Sequence, residues 1–215
     1  MYRYYFTIFR FMSKELTTYQ TIDHPIEEIL YKEKGSKFIG YAFPVSDEET
    51  VKECLQQIKK KHHDARHWCY AYRLGYDGLT YRVNDDGEPS NTAGQPIYGQ
   101  LLAFDVTNIL LIVVRYFGGV KLGVGGLIKA YRTTAEETLQ EADIKLKTIT
   151  ATFEIKSSYE DVDKVMRLIK NHNLNMVTQD MYLDCRFVLE SPVEIYKKVL
   201  SDFKEMRCFT IKTIT

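Results

Sequence analysis

The sequence predicts an α+β protein of two domains: an α/β sandwich over residues 23–145 and a smaller unit over 146–215. Three observations carry this. Ile109 to Val114 reads ILLIVV, a continuous β-branched and leucine run of strand length, as expected of a strand buried on both faces at the centre of a sheet. Behind a glycine-rich turn, Leu127, Tyr131, Thr134, Thr138 and Ala142 recur at helical spacing, with Glu136, Glu137 and Glu141 on the wet face. Past Lys145 the pattern restarts as strand, helix, strand, strand, helix, strand, the order of a ferredoxin-like split βαβ unit.

Residues 1–22 are read as an N-terminal extension. Its first part, MYRYYFTIFRF, differs sharply from the polar SKELTTYQTI that follows, and Met12 would itself serve as an initiator. Residues 1–11 are therefore expected to be either the product of an upstream start or an added edge strand. Ser36 to Phe43 alternates as a strand, and Glu48 to Lys61 carries Val51, Cys54, Leu55 and Ile58 at helical spacing. Trp68 to Leu74 and Leu79 to Val83 read as strands around the Asp77-Gly78 turn. DDGEPSNTAGQP is a loop, with Gln95 or Pro96 opening the next element. In the second domain strands are expected near Thr148 to Ile155, Asn175 to Leu183, Cys185 to Glu190 and Cys208 to Ile214. Helices are expected near Tyr159 to His172 and Pro192 to Phe203.

Composition narrows the function classes. The 29 basic and 29 acidic side chains cancel, so any polyanionic partner must be met by a local patch. Cys54, Cys69, Cys185 and Cys208 form no CxxC pair, which suggests neither a zinc ribbon nor a disulfide framework and fits a reducing cytoplasm. No run approaches the ~20 apolar residues of a membrane span, so no membrane partner is expected.

The stretch richest in chemistry is RYFGGVKLGVGGLIKAYR, Arg115 to Arg132. Gly118, Gly119, Gly123, Gly125 and Gly126 put five glycines in nine residues between a buried strand and a helix. Glycine allows close backbone approach to a ligand, and a helix start presents unpaired N–H donors. Arg115, Lys121, Lys129 and Arg132 are the only charged residues between Ile109 and Thr133, so the sign suits phosphate. The spacing is neither a Walker loop nor a Rossmann fingerprint. The competing reading is that these glycines only permit tight turning and close helix–sheet packing.

Lys59 to Lys61, Arg66 and Arg73 lie beside Trp68, Tyr70 and Tyr72, a mixture able to neutralise phosphate and stack bases, or else a helix end followed by core aromatics. His62, His63, His67 and Cys69 raise a metal reading, and His67 with Cys69 a nucleophilic one, but the remaining ligands would have to come from elsewhere. Asp85, Asp86 and Glu88, with Gln95, would be able to hold Mg²⁺ facing a phosphate; alternatively they are turn chemistry. No other cofactor is expected.

HWCYAYR, DDGEPSNTAGQP and VVRYFGGVKLGVGGLIKAY together resemble the signature motifs of the IMPACT family, in its bacterial, YigZ-like branch, over about Lys34 to Ala142. Asn91 stands where the family pattern has Gly. The resemblance implies a ribosomal-protein-S5 domain-2-like fold for the first domain, shared with phosphorolytic ribonucleases and a tip domain of translocating elongation factors. It also implies an appended ferredoxin-like domain, and a role in translational control through RNA or the ribosome. Eukaryotic members regulate a starvation-responsive kinase and carry an extra N-terminal RWD-type domain, which residues 1–22 are too short to supply. The family names no catalytic residue. Three readings follow: an RNA-binding or ribosome-binding regulator, a metal-dependent enzyme acting on a phosphate-bearing substrate with Asp86 and Glu88 holding the metal, and a protein-only regulatory module.

Overall fold

In the computed structural model, which describes residues 16–182 and 184–214, the ILLIVV run becomes β6 (Ile109–Tyr116), the middle strand of a five-stranded sheet. The order is β2 (Ile26–Glu33), β3 (Ser36–Pro44), β6, β4 (His67–Leu74) and β5 (Thr80–Asn84), with every pairing antiparallel. An antiparallel strand tolerates an unbroken apolar run only when both faces are covered, and helices supply that cover. On one face Val51 and Ile58 of α1 (Glu48–Lys61) pack against Leu110, Ile112 and Val114. On the other, α2 (Gly94–Ala103) and α3 (Gly123–Gln140) bring Ile97, Leu101, Leu127 and Tyr131 onto Ile109, Leu111 and Val113.

Local chemistry sets the ends of these elements. Asp47 caps α1, its carboxylate accepting from Thr50 N–H at 2.8 Å, with Glu48 and Glu49 in the first turn and Lys59 to Lys61 in the last, as the helix dipole favours. Lys34 and Gly35, at φ 45° and 81°, make the two-residue turn between β2 and β3, and left-handed conformation at both positions is the type I′ hairpin pattern.

Three strands lay outside the sequence expectation. β2 is a half-exposed edge strand whose register shifts between Ile26 and Ile29, where Glu28 takes φ 64°, and this bulge breaks the alternation a strand needs to be legible. β1 (Thr18–Ile22), inside the expected extension, and β7 (Ile144–Thr148) form a two-stranded sheet. The question of residues 1–11 lies outside the described residues.

The chain divides at Lys147: Thr18–Lys147 forms one unit and a second contains the residues from Thr148 onward. In the second, β8 (Thr150–Ser158), α4 (Val162–Asn171), β9 (Asn175–Met181), β10 (Asp184–Pro192), α5 (Val193–Glu205) and β11 (Thr210–Ile214) follow βαββαβ order, and a 3-10 turn at Tyr159–Asp161 opens α4. The sheet runs β11-β8-β10-β9, all antiparallel. Period-two alternation turns Phe153, Ile155, Phe187 and Leu189 toward Val165, Leu168, Val199 and Phe203 of the helices. On the opposite sheet face Glu154 accepts from Arg186 Nε at 2.6 Å.

Helix α3 can lie close to β3 because Gly40 has no side chain: a Cβ there would stand 3.2 Å from Thr138 Cβ and overlap its Oγ1. Gly40→Ala is expected to lower stability by about 1–3 kcal/mol in urea denaturation. Thr138→Ala in the Gly40→Ala background is expected to regain part of that loss.

Candidate functional site

The glycine-rich turn is built from glycines with different physical duties. Gly118 is packed, since a Cβ there would overlap the backbone of Gly35 in the β2–β3 turn, and its N–H donates to Ser36 Oγ at 3.1 Å. Gly119 and Gly123 take φ 86° and 72°, which favours glycine, and face open space. Gly126 meets only the Leu122 side chain, at 3.1 Å. Gly125 has no left-handed φ, and a Cβ added there would meet nothing within 4 Å among the described residues. It lies in the first turn of α3, which has no side-chain cap and no acidic residue. Lys129 and Arg132 follow Gly125 at i+4 and i+7, so the three share one exposed helix face. Lys121, Lys129 and Arg132 are exposed, and none of the ion pairs among the described residues includes them.

Arg115, expected among the phosphate ligands, is instead buried at 6% exposure. Its Nη1 donates to Glu88 Oε1 at 2.6 Å, and its guanidinium carbon lies 5.4 Å from the Phe38 ring centroid and 5.7 Å from that of Phe117. Nε has no hydrogen-bond partner among the described residues. The same Glu88 oxygen accepts from the Tyr131 hydroxyl at 2.8 Å, and Cys69 Sγ–H reaches that hydroxyl at 3.3 Å. Burial pushes the Cys69 thiol and the Tyr131 phenol well up, which favours the thiol over the nucleophilic thiolate.

The acidic loop is occupied by its own backbone. Asp85 accepts from the N–H groups of Asn91, Ala93 and Gly94 at 2.9, 3.0 and 2.8 Å, holding the start of α2. Asp86 accepts from Trp68 N–H at 2.8 Å, and Glu88 is paired with Arg115. Asn91 has φ 63°, a conformation asparagine tolerates in place of glycine. Among the described residues no cluster of three His, Cys, Asp or Glu side chains is arranged to hold a metal ion. His67 and Cys69 do share a sheet face, but they bond the backbone carbonyls of Asp86 and Asp85.

The aromatic strand also differs from expectation. Tyr70 and Tyr72 are buried in the α1-side core, at 9% and 3% exposure, and cannot stack a base. Trp68 is half-buried, with Lys59 Nζ 5.4 Å from its ring centroid. Lys61 is paired with Glu27 and Glu28, and Arg73 donates to the Val106 carbonyl, so the second basic run is largely engaged within the protein. Alternation along β4 and β6 puts Trp68, Tyr70 and Tyr72 on the face opposite Arg115 and Cys69.

A cleft of about 390 Å³, lined by Gly35, Lys37, Ile39, His62, Tyr116 and Phe117, opens at the end of the sheet beside the turn. The motif reading missed it, since its walls come from α1, β3 and the strand end after Arg115. In it the His62 ring bridges two hydroxyls, Tyr41 at 2.5 Å and Tyr116 at 2.9 Å. Burial, then the Lys61 charge, lowers the His62 pKa from 6.5, and burial pushes Tyr41 up to about 12.

The fold and this turn define a two-domain α+β protein whose sheet leads into a glycine-rich helix start without a side-chain cap, flanked by exposed cations. Residues 34–139 match the family described as Impact N-terminal domain. The chain is 37% identical over 150 residues to "IMPACT family member YvyE" of Bacillus subtilis, covering 70% of this chain and 69% of that one. It is 32% identical over 157 residues to "IMPACT family member YigZ" of Escherichia coli, covering 72% and 75%. A crystal structure of a hypothetical protein superimposes with TM-score 0.69 at 26% identity, over 93% of this chain and 98% of that one. The chain therefore belongs to the IMPACT family, as its motifs implied.

Glu88→Ala would strand the Arg115 charge in the core and is expected to cost about 3–5 kcal/mol in urea denaturation. Glu88→Gln, which keeps an acceptor for Arg115 and Tyr131, is expected to cost less. For His62 the folded pKa lies below the unfolded value of 6.5, so its contribution to stability is complete above that value and is lost as pH falls through the folded pKa. Melting temperature is expected to fall between about pH 7 and 5 more steeply in the wild type than in His62→Gln.

Proposed function

We propose that the protein is an RNA-binding or ribosome-binding regulator of translation that grips phosphates at the glycine-rich turn. The observation that carries this reading is the combination of Lys121, Lys129 and Arg132, exposed and free of ion pairs among the described residues, with an open helix start at Gly119, Gly123 and Gly125. Phosphate fits such a place because no side chain caps the helix start, the helix dipole is positive there, and no carboxylate lies in the first turn. Gly125 adds to the case. An exposed helical glycine costs roughly 0.5–1 kcal/mol relative to alanine, and packing gives no reason for it here.

The family resemblance supplies the translational context. It extends to a ribosomal-protein-S5 domain-2-like first domain and a ferredoxin-like second domain in a cytoplasmic protein, and the strand order of the second sheet is consistent with the latter. Among the described residues no helix is long and apolar enough to cross a membrane. Arg115 enters this reading as a buried support, not as a phosphate ligand.

Ribosome co-sedimentation and RNA binding by fluorescence anisotropy at about 50 and 200 mM salt test the reading. The wild type is expected to bind with strong salt dependence. The triple variant Lys121→Ala/Lys129→Ala/Arg132→Ala should bind at least about tenfold more weakly, with a shallower salt slope. Gly125→Ala is expected to raise the melting temperature while weakening binding. Salt-insensitive binding, or none by the wild type, would overturn the reading.

A further inference from the structure

We infer that the cleft beside the glycine-rich turn seats one unstacked base of single-stranded RNA on the ring of Phe117, with Lys37 meeting the adjoining phosphate. This deepens the phosphate reading of the turn and rests on it. Phe117 is 46% exposed and lines the cleft, directly before the packed Gly118 and the open Gly119. It is the exposed aromatic that Tyr70 and Tyr72, being buried, cannot provide.

The ring is supported from below. Arg115 holds its guanidinium carbon 5.7 Å from the Phe117 centroid, and Glu88 fixes Arg115 at 2.6 Å, itself fixed by Tyr131 at 2.8 Å. The cation favours a ring held over it, which reduces the ordering cost of stacking a base on the ring. Arg115 is thus a positioning residue for the platform. At about 390 Å³ the cleft is of a size for a single nucleotide unit, near the lower end of ligand pockets.

Charge decides the occupant. Lys37 is exposed in the cleft, and neither it nor Lys121 appears in any ion pair among the described residues. The cleft lining contains no carboxylate. An aromatic ring flanked by free cations suits an unpaired base with its phosphates, because every base offers a π face and the backbone offers the charge. His62 and Tyr116 line the same cleft, but both His62 ring nitrogens are engaged by the Tyr41 and Tyr116 hydroxyls, so the ring face of Phe117 and the cations carry the recognition.

The test compares a fluorescent oligouridylate with an abasic oligomer of equal length, on the whole protein, by anisotropy. Phe117→Ala is expected to weaken oligouridylate binding roughly 5- to 100-fold, in the range of a base–aromatic stack, and to leave the abasic oligomer almost unchanged. Phe117→Trp should retain affinity, and its added fluorescence should be quenched by oligouridylate. Lys37→Ala should weaken both oligomers. If Phe117→Ala leaves both affinities unchanged while the triple cation variant loses both, the platform is overturned and the phosphate reading stands. If the wild type binds neither oligomer, both fall. Phe117-dependent binding to anionic phospholipid vesicles with none to RNA would overturn the base platform in favour of a lipid surface.

Discussion

The buried ion pair between Arg115 and Glu88 is the constraint on which the glycine-rich end of the first domain depends. A guanidinium at 6% exposure is tolerable only because Glu88 meets it at 2.6 Å, and Glu88 in turn is tolerable because Tyr131 also donates to it. These three residues come from the central strand, the acidic loop and α3. One charge pair therefore ties together the elements that frame the turn, and places the loop where Asp85 and Asp86 accept backbone N–H groups.

That arrangement separates the cations by role. Arg115 leaves the surface and becomes a support beneath Phe117, while Lys121, Lys129 and Arg132 remain in water without intramolecular partners among the described residues. Their charge is not neutralised by an ion pair among the described residues, although the molecule as a whole has zero formal charge. The glycines divide in the same way. Gly118 and Gly40 serve packing, Gly119 and Gly123 serve conformation, and Gly125 serves neither.

Much of this is legible in the sequence. Ile109 to Val114 reads as a central strand because burial on both faces forbids polar residues, and all six are at 0% exposure. The second domain reads as βαββαβ because one-sided burial imposes a period of two on strands and 3.6 on helices, and the family follows from the motifs around the turn. β2 was not legible because its bulge at Glu28 breaks the alternation, and β1 and β7 because short strands in a two-stranded sheet bury little. Tyr70 and Tyr72 were open to two readings because an aromatic on a strand has the same letter whether it faces core or solvent.

The sequence by itself determined the α+β class, the main elements of each domain, the glycine-rich turn and the family, since these depend on periodicity and local backbone preference. Only the tertiary structure decided that Arg115 is buried, that Asp85, Asp86 and Glu88 bond the protein itself, and that Phe117, Lys37 and His62 share a cleft. The reason is physical. Each of those facts depends on which groups from distant segments come within a few ångströms, and burial and hydrogen-bond satisfaction are properties of that packing and not of any local stretch of chain.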